Sequence, residues 1–150
     1  MNVADLAWGT ANAKTVTLSF WVYSSLTGTF GGSVQNYAQT RSYPFTYTIS
    51  SANTWTQINV TITGDTSGTW VSNNAAGLNV WFGLGAGTGK TGTAGSWSSN
   101  FYAQPNSTVS VVGTSGATFY ITGVQLEVGS SATGYEYRPY GTELALCQRY

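Results

Sequence analysis

The chain has 150 residues, no histidine, and five basic against five acidic side chains, so its net charge is zero and only 7% of it is charged. Such a chain offers no basic face to a phosphate backbone, which excludes nucleic acid as an expected partner. Without histidine the Ser/His/Asp and Cys/His arrangements are excluded too, while an aromatic content of 15% provides apolar surface for one folded domain.

The start, MNVADLAWGT, has neither a charged leader nor a long apolar run, so no export address is expected. Nowhere does the chain approach the roughly 18 consecutive apolar residues of a membrane span. Residues 15–25, TVTLSFWVYSS, alternate: Val16, Leu18, Phe20 and Val22 form a core face, with Thr17, Ser19, Trp21 and Tyr23 opposite. The stretch SYPFTYTISSANTWTQINVTITGD predicts a strand through Phe45, Tyr47 and Ile49, a turn at 51–53, and a strand with Ile58, Val60 and Ile62 inward. The GDTSG that closes it is turn chemistry. GLNVWFGLG repeats the alternation, with Leu78, Val80, Phe82 and Leu84 inward and Trp81 outward.

Residues 85–100, GAGTGKTGTAGSWSSN, read as a long loop of the kind that is either functional or mobile. Its GTGKTG lacks the spacing of a phosphate loop, and no helical pattern follows. TVSVVG, residues 108–113, predicts a short strand. In TFYITGVQLEVG, residues 118–129, the apolar parity changes at Gly123, as a β-bulge would cause. Phe119 and Ile121 before the bulge, and Val124, Leu126 and Val128 after it, are then expected to share one core. The tail predicts an extended Arg138-Pro139 and a short helix over 142–150, with Glu143 in its first turn and Cys147 as a buried small hydrophobe. A β-sandwich domain thus spans 1–141. The helix meets no stop signal, so the natural chain is expected to continue.

No catalytic residues are expected. The acids Asp5, Asp65, Glu127, Glu136 and Glu143 would formally allow a paired-carboxylate glycosidase, but Asp65 falls in a Gly-Asp turn, Glu143 starts a helix and Glu127 faces outward on a strand. No Cys/His cluster exists for zinc, no cofactor is implied, and the acids leave room for at most one structural calcium held by loop carbonyls. The sequons at Asn59 and Asn106 are commonplace in a Thr-rich chain. The informative class is aromatic. Trp21, Tyr23 and Trp81 lie opposite the core, and Trp97 and Tyr102 sit in the loop region 85–104, with Trp97 expected to be a better exposed ligand candidate than the strand aromatics. Such rings stack on sugars or anchor protein interfaces, unless a second layer or a neighbouring subunit buries them.

TLSFWVYSS, ANTWTQINVTITGD and ATFYITGVQLEVG resemble strands of galactose-binding-type and carbohydrate-binding-module jelly rolls. Together with SATGYEYRPYGTELALCQRY, they make residues 3–150 resemble a domain of bacteriophage virion proteins, tail-fibre-like and other structural ones. The resemblance implies an all-β, antiparallel jelly-roll sandwich on the virion surface, non-enzymatic, in a tail or fibre, recognising host surface polysaccharide. Its partners would be other virion proteins and copies of itself, as a homotrimer, with no membrane insertion. Capsid decoration is the alternative within that class, and a carbohydrate-binding module of a glycoside hydrolase the alternative outside it. A third reading places a depolymerase site between subunits at Asp65 or Glu136. Related domains carry further strands ahead of ADLAWGT, which here would come from elsewhere in the parent protein or from a neighbouring subunit.

Overall fold

The alternation of β1 (Val16–Ser24) organises the molecule. In the computed structural model, which describes residues 3–73 and 75–148, Val16, Leu18, Phe20 and Val22 are all buried while Trp21 points out. β1 is the central strand of an antiparallel three-stranded sheet, between β4 (Thr56–Ile62) and β8 (Phe119–Val128). A second antiparallel sheet has the order β3 (Ser42–Ile49), β2 (Gly28–Asn36), β5 (Leu78–Gly83). The inner faces meet across the core: the Phe20 ring stands edge-on to Tyr47 and to Phe82, each at 5.1 Å, and the Phe30 ring lies 6.1 Å from Phe119. The chain therefore forms the expected antiparallel β-sandwich, ending in one short helix, α1 (Tyr140–Cys147). The turn at 51–53 carries the chain from the second sheet to the first, with Asn53 in a left-handed conformation at φ 55°.

β2 has no legible alternation, because it is buried on both sides. Phe30 and Val34 face the core, while Gly31, Ser33 and Gln35 face outward yet are covered as well. The cover is the segment 88–106. It contains a two-residue parallel ladder, β6 (Thr91–Gly92) with β7 (Gln104–Pro105), and lies on the outer face of the second sheet as a third layer. Gly31 makes room for it: a Cβ there would fall 2.4 Å from Pro105 Cδ. The buried Gln35 amide donates to the Tyr102 carbonyl at 2.9 Å, and the Ser42 and Ser98 backbones exchange bonds of 3.0 and 2.8 Å. The long loop expected to be mobile or free for function is thus largely pinned from 88 onward. TVSVVG, expected as a strand, is not one. It crosses the end of the sandwich, its amides at Val109 and Val111 bonding the Thr29 and Leu84 carbonyls.

The bulge falls where the parity predicts. Ser19 opposes Gln125 and Trp21 opposes Thr122, which leaves Gly123 and Val124 against Phe20 alone. Gly123 takes φ +59°. The shift returns Leu126 to the side of Leu18 and leaves Ile121 opposite Val22, so Phe119, Ile121 and Leu126 all pack on the core. Val124 and Val128 depart from the expectation: they remain 45% and 50% exposed. Their strand is an edge, and an edge strand's inner face is covered from one side only. Replacing Gly123 by Val is expected to cost about 2 kcal/mol, because a β-branched residue resists the left-handed region, while Gly123→Asn costs less than about 1 kcal/mol. Urea unfolding of the two variants checks this; equal losses would remove the conformational explanation.

The end of the sandwich nearest the N-terminus is closed by tryptophans and one ion pair. Trp8, buried behind a 3-10 turn at Val3–Leu6, meets Trp70 at 4.7 Å and Trp97 at 5.2 Å, both edge-on. Asp65, expected as an ordinary turn residue, is instead sealed there. Arg41 Nε and Nη2 donate to its two carboxylate oxygens at 2.7 and 2.6 Å, and Trp70 Nε1 and the Ser67 amide add bonds at 3.2 and 3.1 Å. The carboxylate in turn holds the Arg41 guanidinium above its ordinary pKa. The helix begins at Tyr140, two residues earlier than expected, and its predicted end at Tyr150 lies outside the described residues. Cys147 is exposed rather than buried, because none of the helix's residues is buried. Among the described residues no helix is long and apolar enough to cross a membrane.

Candidate ligand-binding face

The outer face of the first sheet divides in two. At one end the chain after β8 folds back across it: Thr17 Oγ1 donates to the Gly129 carbonyl at 2.9 Å, and the Glu136 amide donates to Gln125 Oε1, also at 2.9 Å. Thr17 and Ser19 are buried there although they face away from the core. At the other end the face is open and aromatic. Tyr23 of β1 opposes Tyr120 of β8 directly in register, with ring centroids 5.7 Å apart. On its other flank Tyr23 meets Trp55, which enters β4, at 5.6 Å. With Thr118 these three rings line a shallow recess of about 440 Å³. Trp55 is 46% and Tyr120 55% exposed, so the platform presents ring surface rather than edges closed by packing.

Trp21 extends the platform along β1, and Gly123 opens the space beside it: a Cβ at that position would sit 3.3 Å from Trp21 Cδ1 and 3.8 Å from the Tyr135 ring. Among the described residues no charged side chain lines the recess. The arrangement can stack flat apolar faces and offer phenol and indole hydrogen bonds at their rims.

The other candidates are placed differently. Trp81 is outward and exposed, but its ring meets Phe101 of the third layer at 5.8 Å, and Lys90 Nζ lies 4.5 Å over that phenylalanine. Trp97, expected to be free in its loop, is built into the closing cluster: its ring lies 5.3 Å from Tyr43 and 5.5 Å from Trp70, and its Nε1 donates to the Thr63 carbonyl at 2.7 Å. Tyr102 lies nearby in the third layer, its ring over Gly92, where a Cβ would come within 2.3 Å of it. The structure therefore brings Trp21 and Tyr23 together on one face, and Trp97 and Tyr102 together on another, with Trp81 apart from both.

Sequence reasoning missed Trp55 and Tyr120. The signal was present, since each has the outward parity of its own strand. Placing them beside Tyr23 needs the strand order β4-β1-β8, which no local pattern contains.

A larger groove of about 650 Å³ lies between β8 and the returning tail, lined by Glu127, Glu136, Arg138 and Glu143 among others. Its charges serve each other. Arg138 bonds Glu136 at 2.8 Å and lies 3.6 Å from Glu143, and Glu127 accepts from the Thr133 hydroxyl and amide. The Arg138 bond holds the Glu136 carboxyl below its ordinary pKa, and the Thr133 hydroxyl does the same for Glu127. Among the described residues no group of three or more Cys, Asp or Glu side chains could hold a metal ion.

Fold and face together define a β-sandwich with one open aromatic surface. In comparisons with protein-family models, with curated proteins and with solved structures, nothing matches the chain.

Proposed function

We propose that the chain is a non-enzymatic binding module whose platform of Tyr23, Trp55 and Tyr120, extended by Trp21, stacks on the rings of a neutral surface glycan. The observation that carries this reading is that three aromatic rings from three different strands converge on one uncharged, half-exposed recess. Buried second-layer aromatics would be covered, and these are not. The setting on a virion surface, in a tail or fibre, rests on the resemblance of residues 3–150 alone.

The test is a glycan array followed by titration calorimetry on whichever oligosaccharide is retained. Trp55→Ala is expected to weaken binding by about 2 kcal/mol, roughly thirtyfold in Kd, with the fold intact because Trp55 stands outside the core. An array on which nothing is retained, or an alanine variant with unchanged Kd, removes the glycan reading.

A second reading, that the domain acts mainly in assembly as a capsid decoration or a homotrimer, is favoured by α1. A helix of 8 residues is marginal in isolation, yet this one buries nothing and leaves Leu144 and Leu146 exposed. Neighbouring copies would supply its packing.

A further inference from the structure

We propose a second binding site, separate from the aromatic platform, in the third layer: a recess between Trp97 and Tyr102 that takes a single neutral sugar residue. It lies far from the platform. Trp55 precedes β4 and the Thr63 carbonyl that anchors Trp97 follows it, so the length of that strand, roughly 25 Å at about 3.3 Å per residue, separates the two.

The recess has a volume of about 330 Å³, at the small end of the range for ligand pockets. Its walls are fixed before any ligand arrives. The Trp97 indole is held by its bond to Thr63, and the Tyr102 ring is seated on Gly92. The Tyr102 backbone is tied on both sides, its carbonyl accepting from the buried Gln35 amide at 2.9 Å and its amide donating to Ser42 Oγ at 3.2 Å. Asn100 Nδ2 reaches the phenol oxygen at 3.2 Å. A site with immobile walls loses little entropy on binding.

Its chemistry is that of a polyol receptor. Thr93, Ser96 and Asn106 line the recess, and among the described residues none of these three side chains has a hydrogen-bond partner in the protein. Hydroxyl and amide groups that both donate and accept match sugar hydroxyls, which do the same. Among the described residues no carboxylate, ammonium or guanidinium lines the recess, and the nearby Lys90 ammonium is engaged over Phe101. An anionic or cationic ligand would find no counter-charge here.

The experiment is a titration of the chain with methyl glycosides of glucose, galactose, mannose and N-acetylglucosamine, followed in amide and indole proton–nitrogen spectra. At least one glycoside is expected to shift the Trp97 indole and the Thr93 and Asn106 amides along a saturating curve, with a Kd near the millimolar range of weak ligands. Thr93→Val and Asn106→Ala, which break no bond of the fold, each weaken that binding about tenfold, and Trp55→Ala leaves it unchanged. If no glycoside moves the Trp97 signals, or if the shifts survive both recess variants, the site does not exist. If they survive the recess variants and vanish with Trp55→Ala, the sugar sits on the platform, and only the platform reading stands.

Discussion

Replacing Arg41 by alanine is expected to lower the unfolding free energy by about 3–5 kcal/mol, a large part of what holds a domain of this size together. The loss comes from what remains rather than from what is removed. The Asp65 side chain is 2% exposed, and without its bidentate partner it keeps only the Trp70 indole and the Ser67 amide. A buried carboxylate with two weak bonds is left short of partners and draws in water, which disrupts the tryptophan cluster packed beside it. The pocket for the guanidinium stem is tight: Gly68, at φ +79°, would place a Cβ 2.5 Å from Arg41 Cγ. Arg41→Lys should therefore recover only part of the loss, since a point charge cannot make both bonds. Replacing both partners by apolar residues of similar volume should recover most of it. Urea unfolding of the three variants measures all of this. A loss below about 1 kcal/mol for Arg41→Ala would mean that solvent reaches Asp65 and that the pair behaves as a surface one.

Gly31→Ala is expected to cost about 3 kcal/mol or more, because the new methyl is blocked on two sides. It would lie 2.4 Å from Pro105 Cδ and 2.6 Å from the Phe45 carbonyl. The carbonyl belongs to β3, paired with β2 through eight residues, and cannot retreat without opening that ladder. Pro105 therefore yields, and with it β7, whose partner β6 heads the recess between Trp97 and Tyr102. Two measurements follow the same event: a fall in urea midpoint, and faster proteolytic cutting within 88–103. Gly87→Ala is the control, since nothing lies within 4 Å of its Cβ position and its φ of −68° suits any residue. Equal stability of the two alanine variants would remove the account of the segment as a packed layer.

How much was legible in the sequence depended on whether a strand had one wet face. β1, β3, β4, β5 and β8 each place one face on the core, so their alternation could be read, bulge included. β2 could not be read, because its outer face is roofed by a segment about seventy positions away, as the 67-residue separation of Gln35 and Tyr102 shows. The same roof explains the misreading of Trp97. A tryptophan among glycines and serines suggests exposure, yet those small residues are what let the backbone lie flat against a sheet. Trp21 and Tyr23 were legible as outward-facing, but the platform they join depends on strand order. Asp65 was hidden for a similar reason, since its partner Arg41 lies 24 residues upstream in a different sheet's leading turn.

The central position of β1 sets the order in which this chain can fold. Its N-terminal half is completed only when Thr17 meets Gly129, 112 residues later, and β2 likewise waits for Tyr102. Contacts so distant along the chain demand loop closure before they return any free energy, which places folding in the millisecond-to-second range of all-β domains rather than the microseconds of helical ones. During synthesis the β8-facing edge of β1 must stay unpaired until almost the whole domain has left the ribosome. Chains halted before residue 119 would pair β1 with β4 alone and leave its other edge open, a ready template for aggregation.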